Sequence, residues 1–168
     1  MSDFQQRGPI STLPRLTRDQ LPRLERELCS TVTRRPLTLA IPCLASEMDQ
    51  PALAGMVAEL AKVPYLDGVL ISLDRAEASD YQRALEYFRA IGHRTVVLWN
   101  DASEVLAVRA DVEANVGSLP PGKGRAVWMA MGYLLAEDRA GAVALHDADV
   151  VDYDRALLAN LAFPIVHP

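Results

Sequence analysis

Leu37-Thr38-Leu39-Ala40-Ile41-Pro42-Cys43 is an almost unbroken apolar run whose one hydroxyl belongs to Thr38, and Leu44-Ala45-Ser46-Glu47 follows it directly. A run this short reads as a β-strand buried on both faces, as in a parallel sheet covered by helices. Three more such runs lie further along. Residues 68–73 lead into Asp74, residues 95–99 into Asn100-Asp101, and residues 142–145 into His146-Asp147-Ala148-Asp149. The intervening segments carry helical periodicity. Asp49 is expected to cap a helix with Leu53, Met56, Val57 and Leu60 on one stripe. Ser79 and Gln82 read as a capping box for a helix bearing Tyr81, Leu85 and Phe88, stopped by Gly92. Further helices are expected over 102–114 and 125–136. Strands alternating with helices point to an α/β fold with a mostly parallel sheet.

Ligands of such sheets bind at the carboxyl ends of the strands. Pro42, Asp74, Asn100 and Asp147 all fall at those ends, so they are expected on one rim. Strand ends are also where ordinary loops begin, and that reading stays open. N-terminal to the first run, residues 1–36 read as a helical leader outside the sheet. Asp19 would cap a short helix with Leu21, Leu24 and Leu28 on one face, Pro22 is tolerable in its first turn, and Pro36 closes the segment. At the other end, Phe163-Pro164-Ile165-Val166 reads as the next strand.

Composition narrows the function. The 168 residues are half apolar and 23% charged, enough for one ordinary domain with a proper core. Seventeen basic residues against 22 acidic ones leave no electrostatic footprint for nucleic acid. The longest apolar run, 126–136, is too short to span a bilayer. The start, Met1-Ser2-Asp3-Phe4-Gln5-Gln6, lacks a signal pattern. Cys29 and Cys43 are the only cysteines, which suits a reducing compartment and argues against a metal cluster. A cytoplasmic protein without nucleic-acid or membrane partners is expected. All but two basic residues are Arg; the exceptions are Lys62 and Lys123, and Lys123 stands between two glycines.

Three short stretches could carry chemistry. In Asp147-Ala148-Asp149, residues i and i+2 project to the same side of an extended chain. Two carboxylates on one side need a cation or donors between them, and hard oxygens suit Mg²⁺ or Mn²⁺. A solvated turn is the plainer reading, since Asp152 and Asp154 follow. Pro121-Gly122-Lys123-Gly124-Arg125 precedes a helix, where glycines allow close backbone approach to a phosphate and the helix N-terminus adds positive potential. It is not a Walker A loop, because no glycine stands five residues before Lys123 and Gly124 replaces the Ser or Thr; a plain turn is the alternative. Ile41-Pro42-Cys43-Leu44-Ala45-Ser46-Glu47 could hold a base or ribose edge, or simply leave the sheet. His93, His146 and His167 show no metal-ligand spacing, and His146 reads equally as a satisfied rim histidine.

In this order the three stretches resemble the GT-A nucleotide-sugar glycosyltransferases. More narrowly they resemble the glucosyl-3-phosphoglycerate synthases, and more distantly the mannosylglycerate synthases. Met1-Ser2-Asp3-Phe4, Ala61-Lys62-Val63-Pro64-Tyr65-Leu66, Val97-Leu98-Trp99-Asn100-Asp101 and Ala144-Leu145-His146-Asp147-Ala148-Asp149 add to the likeness. The resemblance implies a GT-A, Rossmann-like fold and a metal-dependent retaining glucosyl transfer from UDP-, ADP- or GDP-glucose to 3-phosphoglycerate or a related small acceptor. It implies that Pro42, Cys43, Leu44 and Glu47 hold the nucleoside, although Ala45-Ser46 replaces the family's usual Asn-Glu. It places Asp74, Gly122, Gly124 and Ala148 beside the donor, and Lys123 against its phosphates. Lys123, Asp147 and Asp149 form the expected catalytic set, with Asp149 and Asp147 on Mg²⁺ or Mn²⁺. In such enzymes the metal stabilises the departing diphosphate, and the acceptor hydroxyl attacks from the same face. Members continue well past the Asp-x-Asp, with the acceptor site and a histidine metal ligand in the later half. Residues 37–168 are therefore expected to be an incomplete nucleotide-sugar-binding domain, truncated after the Asp-x-Asp. A homodimer is left open. Competing readings are a nucleotidyltransferase-like enzyme, a haloacid-dehalogenase-type phosphatase built on Asp147-Ala148-Asp149-Val150-Val151, and a non-catalytic nucleotide-binding module.

Overall fold

The computed structural model describes residues 20–166. The expected cap Asp19, the opening Met1-Ser2-Asp3-Phe4 and His167 lie outside the described residues. Strands β1 (Leu37–Leu44), β2 (Gly68–Asp74), β3 (Thr95–Trp99) and β4 (Ala142–Leu145) form one parallel sheet in the order β3-β2-β1-β4. The register pairs Ala40 with Leu70 on one side and with Leu145 on the other. β1 and β2 are central, and both are packed from above and below. Leu39, Ile41 and Cys43 alternate with Ala40, and Val69, Ile71 and Leu73 with Leu70, so the two sets enter different cores. Burial on both sides is why these strands read as unbroken apolar runs.

The larger core lies under α1 (Leu21–Thr31), α2 (Pro51–Leu60), α3 (Ala78–Phe88) and α6 (Arg155–Val166), which contribute Leu28, Leu53, Phe88 and Leu158 among others. The smaller core lies under α5 (Lys123–Glu137). Its Ala126 and Ala130 are buried and small, so the helix can come close to Ala40 and Leu70. Ser72, on that face of β2, donates its hydroxyl to the Ala126 carbonyl at 2.9 Å. This buried bond ties the first turn of α5 to the sheet. α4 (Ser103–Val116) buries none of its residues. Leu21, Leu24 and Leu28 of α1 join the larger core, and Glu25 accepts a hydrogen bond from Arg155 of α6 at 2.9 Å. No helix among the described residues is long and apolar enough to cross a membrane.

The structure corrects three local expectations. Phe163-Pro164-Ile165-Val166 is the last turn of α6, not a strand. Four apolar residues cannot by themselves distinguish the two, and the alanines at 156, 159 and 162, buried in the core, extend the helix through Pro164. Asp49 does not cap α2: it ends a short 3₁₀ turn, Ala45–Asp49, and pairs with Arg83, while Gln50 is the cap and Pro51 opens the helix. The capping box of α3 is Glu77 with Asp80, the Glu77 N–H donating to Asp80 Oδ2 at 2.9 Å, rather than Ser79 with Gln82.

Candidate active site

The site arises from a mismatch in strand length. β4 has four residues and β1 has eight, so the β1–β4 ladder stops at the pair Ala40–Leu145. Its last bond is the His146 N–H donating to the Ala40 carbonyl at 3.1 Å. Beyond it, Pro42-Cys43-Leu44 has a partner strand on the β2 side only. The missing N–H of Pro42 can fall there without an unmet ladder position on the β4 side. The gap is a cleft of about 190 Å³.

Residues from four parts of the chain line it. Pro42, Cys43, Leu44 and Glu47 come from the end of β1, and Asp74 and Arg75 from the end of β2. Gly122, Lys123 and Ala126 come from the start of α5, and Ala148 and Asp149 from the loop after β4. Asp147 does not line the cleft, but it meets Lys123 in an ion pair at its edge. Gly124 faces solvent within the first turn of α5 and is not part of the lining. Asn100 is buried behind the rim, where its side-chain amide donates to the Ser72 hydroxyl at 2.9 Å.

Each wall has an identifiable support. The Leu44 N–H donates to Glu47 Oε2 at 2.6 Å, so this carboxylate closes its own turn as well as facing the cleft. Burial, reinforced by Glu47, pushes the Cys43 thiol up and keeps it neutral. Cys43 therefore supplies shape rather than a nucleophile. Asp74 is buried, with the Arg125 guanidinium 3.7 Å away. Arg75 turns the chain with a φ of +53°, a backbone conformation that is strained for a residue with a Cβ. The next residue is held twice. The Ala76 N–H donates to Asp101 Oδ2 at 3.0 Å, and the Trp99 indole donates to the Ala76 carbonyl at 2.9 Å. Trp99 is itself stacked on Tyr81 at 5.2 Å. Arg75 carries no sequence signal for that conformation, and the sequence reading missed it.

Gly122 precedes α5 with a φ of +142°, a conformation that glycine alone adopts without strain. It sets the N-terminus of α5, with its partial positive charge, at the cleft beside Lys123, while the Arg125 and Ala126 N–H groups donate to the Gly122 carbonyl at 3.1 and 3.3 Å. His146 is buried, and its Nδ1 is hydrogen-bonded to the Tyr153 hydroxyl at 2.9 Å. Burial lowers its pKa to about 4 against the opposing pull of Asp147, so the ring is neutral at pH 7. Asp147 and Asp149 offer hard oxygen donors of the kind that hold Mg²⁺ or Mn²⁺, but the chain turns at residues 148–149 instead of running extended, and of the two only Asp149 lines the cleft. Among the described residues no group of three His, Cys, Asp or Glu side chains is gathered for a metal.

Comparison with known proteins adds to this geometry. No protein-family model matches the chain. The glucosyl-3-phosphoglycerate synthase of Persephonella marina is 38% identical over 169 residues, which take in the whole chain and 42% of that relative. Over its whole length the chain is similar to this glucosyl-3-phosphoglycerate synthase, and to no more than 42% of it. It spans less than half the length of the curated relatives it matches: the Methanococcoides burtonii synthase, 34% identical over 134 residues, is covered to 33% of its length, with 79% of this chain aligned. A crystal structure of the Mycobacterium tuberculosis synthase superposes with a TM-score of 0.56 over 85% of this chain and 44% of its own, at 19% identity. At that identity the likeness concerns the fold, which is GT-A. That crystal structure holds Mn²⁺, UDP and glucosyl-3-phosphoglycerate.

Proposed function

We propose that this chain binds the donor of a glucosyl transfer, UDP-glucose with a divalent cation, in the cleft at the carboxyl ends of the strands. The whole protein would then transfer glucose with retention to 3-phosphoglycerate. One observation carries the reading: an electropositive helix start bearing Lys123 faces an acidic loop bearing Asp149 across the cleft that β1 and β2 close. A nucleoside diphosphate needs both halves of that arrangement. The uridine nucleotide held by the Mycobacterium tuberculosis synthase favours UDP over ADP or GDP as the donor nucleotide.

The roles follow from chemistry. Pro42, Cys43 and Leu44 present an apolar edge against which a base can lie, with Glu47 at its end. The α5 N-terminus and Lys123 supply positive potential and a charge-assisted donor for the diphosphate, and Gly122 allows its close approach. Asp147 and Asp149 would hold Mg²⁺ or Mn²⁺; the exposed, hard-oxygen Asp149 fits such an ion. When bound, the cation stabilises the charge of the leaving diphosphate. The Cys43 thiol stays protonated, so it adds no negative charge beside the phosphates, and the buried His146 stays neutral, so it adds no positive charge to hold them.

Calorimetric titration of UDP-glucose into the 168-residue chain tests the reading. Binding is expected with Mn²⁺ and lost in chelator, and Asp149→Ala should abolish the difference. Equal affinity with metal and with chelator would overturn it.

A further inference from the structure

The ammonium that the donor reading assigns to phosphate is already engaged. Lys123, the first residue of α5, forms an ion pair with Asp147, and both side chains are about half exposed (52% and 47%). Asp149 is exposed on the cleft. A divalent ion that takes both carboxylates therefore finds one of them holding a charge of its own sign. Arg125 cannot relieve this, because it sits 3.7 Å from buried Asp74 and is itself only 15% exposed. Lys123, on a flexible and solvated stem, can change partner.

We propose that Lys123 is a resident counter-ion of the Asp147–Asp149 pair, released by a diphosphate, so that cation and nucleotide bind weakly alone and tightly together. The proposal rests on the donor reading above and deepens it. A diphosphate in the cleft draws the ammonium off Asp147 and frees both carboxylates for the metal. Metal on the carboxylates frees Lys123 for the diphosphate, and linkage requires the two effects to be equal. Direct bridging of metal and diphosphate also couples them, but that part survives without Lys123. Removing Lys123 should thus act in opposite directions on the two ligands. Mn²⁺ alone gains, because its carboxylate is vacated and a like charge is gone. UDP loses its charge-assisted contact.

The experiment measures free Mn²⁺ by electron paramagnetic resonance on the 168-residue chain, with and without saturating UDP. The variants are Lys123→Met, Lys123→Gln and Lys62→Met. Lys62→Met makes the same charge change at a remote surface pair with Glu59. Both Lys123 variants should bind Mn²⁺ alone about 3- to 5-fold more tightly than the parent, the range of an exposed ion pair. The factor by which UDP tightens Mn²⁺ binding should fall about 5-fold. Lys62→Met should change neither. In an Asp147→Asn background, Lys123→Met should bring a clearly smaller gain, since no carboxylate is left to vacate and only the like charge is removed. Unchanged or weaker Mn²⁺ binding by the Lys123 variants, or a gain that persists undiminished without Asp147, overturns the proposal and leaves the donor reading intact. Failure of the parent chain to bind UDP in Mn²⁺ overturns the donor reading and this inference with it.

Discussion

Replacing Arg125 with methionine keeps most of the apolar stem and deletes the charge. Its partner Asp74 then loses the guanidinium 3.7 Å away: the carboxylate is 6% exposed, and Oδ1 has no hydrogen-bond partner among the described residues. Removing one member of a buried pair costs about 3–5 kcal/mol. The 3.7 Å separation is longer than a hydrogen bond, which places this pair at the low end, about 3 kcal/mol. With a urea dependence of about 2 kcal/mol/M, the midpoint should fall by about 1.5 M. The melting temperature should fall by about 10 °C. Asp74→Asn should cost less, about 1 kcal/mol, because the Arg125 head keeps some contact with water and can turn outward. The double variant should recover part of the loss, since no buried charge is left unpaired. Urea denaturation followed by circular dichroism gives all three values. Arg125→Met unfolding with the parent, or Asp74→Asn proving the more damaging, would refute this account of the inner wall of the cleft.

Two further predictions concern the rim. The folded pKa of His146, about 4, lies below the reference near 6.5, so the unfolded chain takes up the proton first as pH falls. Stability should therefore drop between about pH 6.5 and 4, by up to about 3 kcal/mol, and His146→Phe should flatten that limb of a stability-against-pH curve; an unaltered limb counts against the assignment. The two glycines beside Lys123 should behave differently in thermal melts. Gly122→Ala, at a φ of +142°, should cost about 1–2 kcal/mol. Gly124→Ala, helical and with nothing within 4 Å of an added Cβ, should be neutral or stabilise by about 0.5–1 kcal/mol. Equal losses at the two positions would show that the backbone, as described, is not what sets them apart.

The sheet was legible because β1 and β2 are buried on both faces, which forces unbroken apolar runs such as Leu39-Ala40-Ile41 and Val69-Leu70-Ile71. That Pro42 and Asp74 reach one rim was legible from topology, since parallel strands deliver their carboxyl ends to one edge; Asp147, expected with them, stays outside the cleft lining and meets Lys123 at its edge. What was not legible depends on tertiary partners. Asp49 has the composition of a cap, yet Arg83 from another helix claims it. Phe163 to Val166 is apolar in either conformation, and packing within the larger core decides for helix. Asn100 looks like a rim residue until Ser72 draws it inward. Arg75 turns through a strained conformation that bonds from Asp101 and Trp99 to the following residue hold in place. The Lys123–Asp147 pair joins the start of α5 to the end of β4 and has no local signature.

A crystal structure of the chain soaked with UDP and Mn²⁺, with anomalous data collected for manganese, shows where donor and cation sit. One anomalous peak is expected between Asp147 and Asp149, with the diphosphate against Lys123 and the N-terminus of α5 and the uracil beside Pro42 to Leu44. Nucleotide bound elsewhere, or manganese away from both aspartates with the cleft open, would contradict it.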